Sequence, residues 1–342
     1  MSPDARWVVT GGAGYVGGHV VAALCSAGVD VVVLDDLSTG HPDRLPAGVP
    51  LVCGRVGDRR VLDQVLPGAA GVVHLAALTS APESLRRPLA YYQANVTDLA
   101  VLLTAMVDLG VPRLVASSSA AVYGDRTGRD ALTACGEGDP LHPSTPYGTT
   151  KLVGERLIAE TAAAAGLSTV SLRYFNVAGA SGPALFDVRE AGVIPRVLAA
   201  QRDDAVLTVH GIDRPTPDGS PVRDFVHAAD IASAHVSAVD RLSSGWQGSA
   251  VYNVGTGHGA SVLEVIAQVE AITGAPVRWT AGPTRPGDPD FSVASSALIA
   301  RELGWHARHD LADCIASAWT AMPGHRSVGP IGADRAAGVG FR

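Results

Sequence analysis

Lysine is almost absent from this chain: one stands among 26 basic residues and the rest are arginine, a bias that by itself says little about function. Cysteine is scarce as well. Cys25, Cys53, Cys135 and Cys314 are widely spaced with no metal-type pairing, and Cys25 and Cys314 fall in helical patterns as small core residues. Such an inventory belongs to a reducing, intracellular setting, so a cytoplasmic protein without a metal centre is expected. A charged segment followed by an apolar stretch is missing at the N-terminus, and no apolar run is long enough for a bilayer; neither a signal peptide nor a membrane partner is expected. Positive charge is not in excess. The net charge of −7 argues against a nucleic-acid partner. No internal repeat is visible.

What is present is 342 residues, 47% of them hydrophobic, enough for a large core and long for one domain. Trp7–Val9 reads as a buried strand. It stops at Gly11, Gly14 and Gly17, and a helical pattern opens through Val20, Val21, Leu24 and Cys25. Glycines at such a turn let backbone approach a pyrophosphate, and the helix N-terminus supplies N–H donors and a positive dipole. A second strand, 30–35, ends on Asp35, eighteen residues after Gly17. An acid there accepts from ribose hydroxyls and repels a 2′-phosphate, which favours NAD over NADP.

Strand patterns at 7–10, 30–35, 50–53, 71–75, 113–117 and 168–174 alternate with helical patterns near 15–27, 59–66, 88–109 and 146–165. The fold class is therefore α/β, a doubly wound parallel Rossmann sheet with a second, smaller α/β substrate-binding lobe. We place the NAD-binding domain at 1–177, with 222–245 packing back onto it. The second lobe spans 178–322, with short strands at 205–209, 251–254 and 277–279 and helices near 191–200, 228–242, 261–273, 296–302 and 310–321. A flexible tail is expected over 323–342. Segment 120–145 reads as a loop on the carboxyl side of the sheet, where ligands bind in such folds.

Tyr147 and Lys151 lie four residues apart in Ser144-Thr-Pro-Tyr-Gly-Thr-Thr-Lys151. On a helix they share a face. A charge pair at about 5 Å and an effective dielectric near 20 is worth roughly 3 kcal/mol, about two pKa units, enough to draw a tyrosine toward use as a general base.

Together these residues resemble the extended short-chain dehydrogenase/reductase superfamily and, more narrowly, the UDP-glucose 4-epimerases, from about residue 6 to 321. The resemblance is carried by Thr10-Gly-Gly-Ala-Gly-Tyr-Val-Gly17, Asp35-Asp-Leu-Ser-Thr-Gly40, His74-Leu-Ala-Ala77, Asn95-Val, Ser117-Ser-Ser-Ala-Ala-Val-Tyr-Gly124, Arg173-Tyr-Phe-Asn-Val-Ala-Gly179, the run from Pro215 to His227, and Arg285-Pro-Gly-Asp288. It implies that Tyr147 takes the proton from the sugar 4-hydroxyl, that Lys151 tunes it, and that Ser119 bridges hydroxyl and phenol. It further implies tightly held NAD among Gly11, Gly14, Tyr15, Val16, Gly17, Asp35, Asp36, Ser38, Thr39, Gly40, Arg55, Val56, Leu75, Ala76, Ala77, Thr79, Asn95, Ser117 and Tyr174. The UDP-sugar falls to Ser119, Ala120, Ala121, Asn176, Arg189, Val193, Thr208, His210, Arg223, Arg285, Asp288 and Ser292. Relatives are commonly dimers through paired helices, here about 88–109 and 146–165, so a homodimer is expected.

Several positions depart from the family pattern. Thr79 replaces a lysine. Gly54-Arg55-Val56 replaces a Gly-Asp-Ile/Leu motif whose acid contacts the adenine amine, so weaker cofactor retention is expected. Gly192 stands where an Asn or His commonly precedes the apolar pair Val193-Ile194, and Ser292 is small at a position that limits bulk at sugar C2. UDP-glucose and UDP-galactose, a UDP-hexuronate and a UDP-N-acetylhexosamine all remain open. A dehydratase would need acids where Ala120 and Ala121 stand. A non-catalytic NAD sensor would usually lose the Tyr or the Lys.

Overall fold

β-branched runs form the centre of the molecule. In a computed structural model, which describes residues 6–126, 132–188 and 192–324, they become strands β1 (Trp7–Thr10), β2 (Val31–Asp35), β3 (Leu51–Cys53), β4 (Gly71–His74), β5 (Arg113–Ser119) and β6 (Ser168–Tyr174). Their helices are α1 (Tyr15–Ser26), α2 (Arg59–Val65), α3 (Ala81–Arg86), α4 (Pro88–Tyr92), α5 (Asp98–Asp108) and α6 (Pro146–Ala165). The remaining elements are β7 (Asn176–Ala178), α7 (Val193–Arg202), β8 (Leu207–His210), β9 (Val222–His227), α8 (Ala228–Ser243), β10 (Ser249–Val254), β11 (Gly259–Ser261), α9 (Val262–Thr273), β12 (Trp279–Gly282), β13 (Phe291–Ser292), α10 (Ala297–Leu303) and α11 (Leu311–Ala321).

The large sheet has seven parallel strands in the order β10-β6-β5-β4-β1-β2-β3. Both faces are covered, so its strands are apolar on both sides. Val9, Val33 and Val73 pack with Val20, Val21 and Leu24 of α1 and Ile231 and Ala234 of α8. Val8, Leu34 and Val72 pack on the other face with Leu102 and Met106 of α5. Strand order reverses between β1 and β4, the switch point that opens a crevice at the carboxyl ends of such sheets.

A second core joins α7, α9 and α11 through Ile194, Val197, Val265, Val269 and Ile315, with Val209 and Phe225. Above the crevice, β11-β9-β13 form a small sheet to which β7 pairs, and β12 pairs with β8.

Three expectations change. Strand 251–254, expected in the smaller lobe, is the edge strand β10 of the large sheet, paired with β6. The helix expected over 88–109 is interrupted by a π turn at Gln93–Thr97, where the Asp98 N–H donates to the Gln93 carbonyl. The sheet around β9 was not expected, because the buried Arg223 and Asp224 interrupt the apolar pattern of that strand. Residues 325–342 of the expected tail lie outside the described residues. Among the described residues no helix is long and apolar enough to cross a membrane, and no group of three His, Cys, Asp or Glu could hold a metal.

Candidate active site

The crevice is a cleft of ≈ 1190 Å³ running from Gly54, Arg55 and Val56, past the β1–α1 turn, to Tyr147, and on to Arg223 and Arg285. Its floor is the glycine turn. A Cβ on Gly17 would sit 2.1 Å from the Gly11 carbonyl oxygen, and one on Gly11 would sit 2.6 Å from the Ala76 nitrogen. Only glycines allow this close approach, and Gly11 has the positive φ of 71° that favours glycine. Asp35 closes β2 with Oδ2 accepting from Ala13 N at 3.0 Å and Oδ1 from Leu37 N at 2.8 Å. Burial raises its carboxyl, and the two N–H donors act against that. A cradle without side chains, a helix N-terminus behind it and an acid at the next strand end fit the diphosphate and ribose of NAD.

Leu75, Ala76, Ala77 and Thr79 continue the wall, along with Tyr15, Val16, Asp36, Ser38, Thr39 and Tyr174. Two residues expected to touch cofactor act from behind instead. Asn95 is buried, exchanging hydrogen bonds with the Leu78 N–H (2.9 Å) and carbonyl (3.0 Å), and so fixes the wall segment. A Cβ on Gly40 would meet Asp35 Oδ1 at 2.7 Å, so Gly40 makes room for the acid.

The Thr145 hydroxyl caps α6 through Gly148 N (3.2 Å), and Pro146 opens the first turn. Tyr147 and Lys151 then face β5 one turn apart. Ser119, the last residue of β5, lies beside the Tyr147 phenol and accepts from Ala121 N at 3.2 Å. Tyr91 stacks edge-on against Tyr147 at 6.3 Å. The direct pull of Lys151 on the phenol, expected from their spacing, is not formed. Lys151 Nζ donates to the Ser117 carbonyl (3.0 Å) and hydroxyl (3.2 Å), where a buried ammonium finds two acceptors. Burial pushes the Tyr147 phenol above its usual range and Ser119 pulls it down, while burial brings Lys151 to about 8 against the opposing charge of Glu155. Behind them Glu155 pairs with Arg173 at 2.7 Å and accepts from Ser118.

At the far end Asn176, Arg223, Arg285, Asp288 and Ser292 line the cleft, as do Ala120 and Ala121. Asp288 bridges two arginines, Arg223 at 2.5 Å and Arg214 at 3.2 Å. Val193, Thr208 and His210 are not on the wall: Gly192 lines it in place of Val193, and Thr208 and His210 lie on the β8–β12 ribbon, where His210 Nδ1 meets the Pro283 carbonyl at 2.9 Å. Arg189 lies outside the described residues.

The sequence reading missed Arg196, Arg214 and Asp98. Arg196 follows Gly192 by one helical turn, and burial together with the facing Arg285 lowers its pKa. Neither Arg196 nor Arg285 has an acidic partner among the described residues, which marks an anion position. The helical spacing from Gly192 could have pointed to Arg196. For Arg214 and Asp98 the sequence held no such signal.

The model of the NAD dependent epimerase/dehydratase family matches residues 7–255. A UDP-glucose 4-epimerase of Azospirillum brasilense is 40% identical over 338 residues, 96% of this chain and 95% of that protein. The crystal structure of UDP-glucose-4-epimerase from Stenotrophomonas maltophila with bound NAD and formylated UDP-arabinopyranose superposes with a TM-score of 0.86 at 38% identity, covering 93% of this chain and 97% of that one. MoeE5 in complex with UDP-glucuronic acid and NAD superposes with a TM-score of 0.79 at 33% identity, covering 92% and 97%. The chain is therefore a member of the NAD dependent epimerase/dehydratase family and, at this identity over nearly its whole length, an NAD-using isomerase of the UDP-glucose 4-epimerase group.

Proposed function

We propose that the enzyme inverts C4 of UDP-glucose and UDP-galactose through a transient 4-keto sugar. One observation carries this reading: Tyr147, the adjacent Ser119 and the arginines Arg223 and Arg285 share a single cleft. Arg223 and Arg285 hold the diphosphate with their planar donor forks, Arg196 adds a third cation, and Asp288 accepts from the uridine ribose. This clamp leaves the hexose free to turn. Tyr147 takes the proton of the 4-hydroxyl, with Ser119 as its bridge, and returns it to the opposite face after the sugar has swung over. Lys151, while protonated, fixes the end of β5 through Ser117 and so holds Ser119 beside the phenol. NAD, when bound, takes up and gives back the hydride at sugar C4. With Ala120 and Ala121 after Ser119, no acid stands there to deprotonate C5, which favours simple re-reduction over dehydration.

The preferred sugar is a finer question. Ser292, beside Arg223 in register, leaves room at C2 for an N-acetyl group. A C6 carboxylate would meet Ser117 and Ser119, since Ser118 is engaged by Glu155; Arg189 is the candidate cation. Product separation after incubation with UDP-glucose, UDP-galactose, UDP-glucuronate and UDP-GlcNAc tests the reading. Failure to epimerise any of the four would refute it. A bound dinucleotide that is never reduced on adding these sugars would identify a sensor instead.

We also propose a cytoplasmic homodimer, supported by Leu89 (83% exposed), Leu85 and Tyr92 standing on α3 and α4 beside α6. The parts of 178–322 outside the large sheet form the nucleotide-sugar lobe in this reading. Sedimentation of the protein and of Leu89→Glu checks the dimer: a wild-type monomer would refute it.

A further inference from the structure

Position 55 is where the family carries an acid for the adenine amine, and here it is Arg55. Its side chain points outward, 62% exposed, and its Nη2 lies 3.4 Å from Asp98 Oδ2. Asp98 reaches the same place from the opposite wall. The π turn at Gln93–Thr97 ends on it and sets Gln93 directly over it, with Gln93 Nε2 3.2 Å from Asp98 Oδ1. The Asp98 side chain is 12% exposed and lies against the 54–57 turn so closely that a Cβ on Gly57 would stand 2.3 Å from Oδ1. It lines the same end of the cleft as Gly54, Arg55 and Val56. Its two side-chain contacts are both long, and a carboxylate can accept about four hydrogen bonds. A buried acceptor with unused lone pairs at the adenine end calls for a donor.

We propose that Asp98 accepts the adenine exocyclic amine of NAD. Acid and base have exchanged walls: the carboxylate lost at position 55 is restored from α5, and Arg55 closes over it from outside. Cofactor retention is then not weakened by Arg55, contrary to the expectation from sequence. The proposal rests on the NAD reading alone and is independent of the sugar.

The test is competition between NAD and nicotinamide hypoxanthine dinucleotide, in which a carbonyl replaces the amine. The full-length protein is equilibrated with an equal mixture, and the retained nucleotides are released and quantified. The wild type should retain NAD in preference by about 10-fold or more, the scale expected when a buried polar group loses its partner. Asp98→Ala should bring the ratio near one. Asp98→Asn keeps the shape, can donate to the carbonyl, and should move the ratio toward the analogue. The double variant Arg55→Asp/Asp98→Gly should recover the preference for NAD. Equal retention by the wild type, or an undiminished preference in both Asp98→Ala and Asp98→Asn, overturns the proposal. Retention of neither dinucleotide by the wild type removes the NAD reading beneath it.

Discussion

Lys151 Nζ lies 3.0 Å from the Ser117 carbonyl oxygen, so the catalytic helix is tied to the catalytic strand by an ammonium that burial has brought to about 8. The charge is present below that pH and is lost above it. Turnover should therefore fall as pH rises through about 8. A kcat profile between pH 6 and 10, read for the wild type and Lys151→Met, checks this. The variant should be slow throughout and lack that falling limb; the same limb in the variant would clear Lys151 of it.

Tyr147→Phe removes the one group placed to take the 4-hydroxyl proton. Turnover should drop by at least about 100-fold. UDP affinity, set by the distant arginines, should stay close to wild type in calorimetry. A variant within a few-fold of wild-type turnover would show that another group moves the proton.

Three buried histidines predict acid sensitivity. His74 meets Thr10 Oγ1 at 2.8 Å, His235 meets Tyr174 OH at 2.6 Å, and His227 meets Ser317 Oγ at 2.9 Å. Burial takes His74 down to about 3 and His227 and His235 to about 4. Between those values and the ordinary 6.5 the unfolded chain binds more protons than the native one, so stability rises with pH there and is lost on acidification. Three protons correspond to at most about 4 kcal/mol per pH unit. Melting temperature should fall steeply from pH 6.5 to 4, and a flat profile would contradict the burial of these rings.

Legibility followed locality. The glycine turn, Asp35 and the Tyr147–Lys151 pair are short segments whose spacing already fixes their geometry, and each lies on the cleft wall. Strand β9 was hidden because Arg223 and Asp224, both buried, are charged residues in a run that would otherwise read as apolar. Asp98 was hidden for another reason: nothing along the chain relates it to Arg55, and the π turn that aims it has no signature in hydrophobic periodicity.

Arg196 faces Arg285, and among the described residues no acid offsets either. Arg196→Ala should raise KM by about 10-fold for every UDP-sugar accepted, with a smaller change in kcat, because the diphosphate is common to all. A loss confined to one sugar would move Arg196 from the diphosphate to the hexose.

Lys151 is the chain's one lysine. It is buried, and every other basic side chain apart from the histidines is an arginine, so acylating and cross-linking reagents that seek side-chain amines find no target at the surface. An isotope placed on lysine side chains would likewise give a single resonance, free of background, from the amine beside Ser117. The active site thus carries its own spectroscopic reporter, and its protonation can be followed directly as cofactor and sugar nucleotide are added.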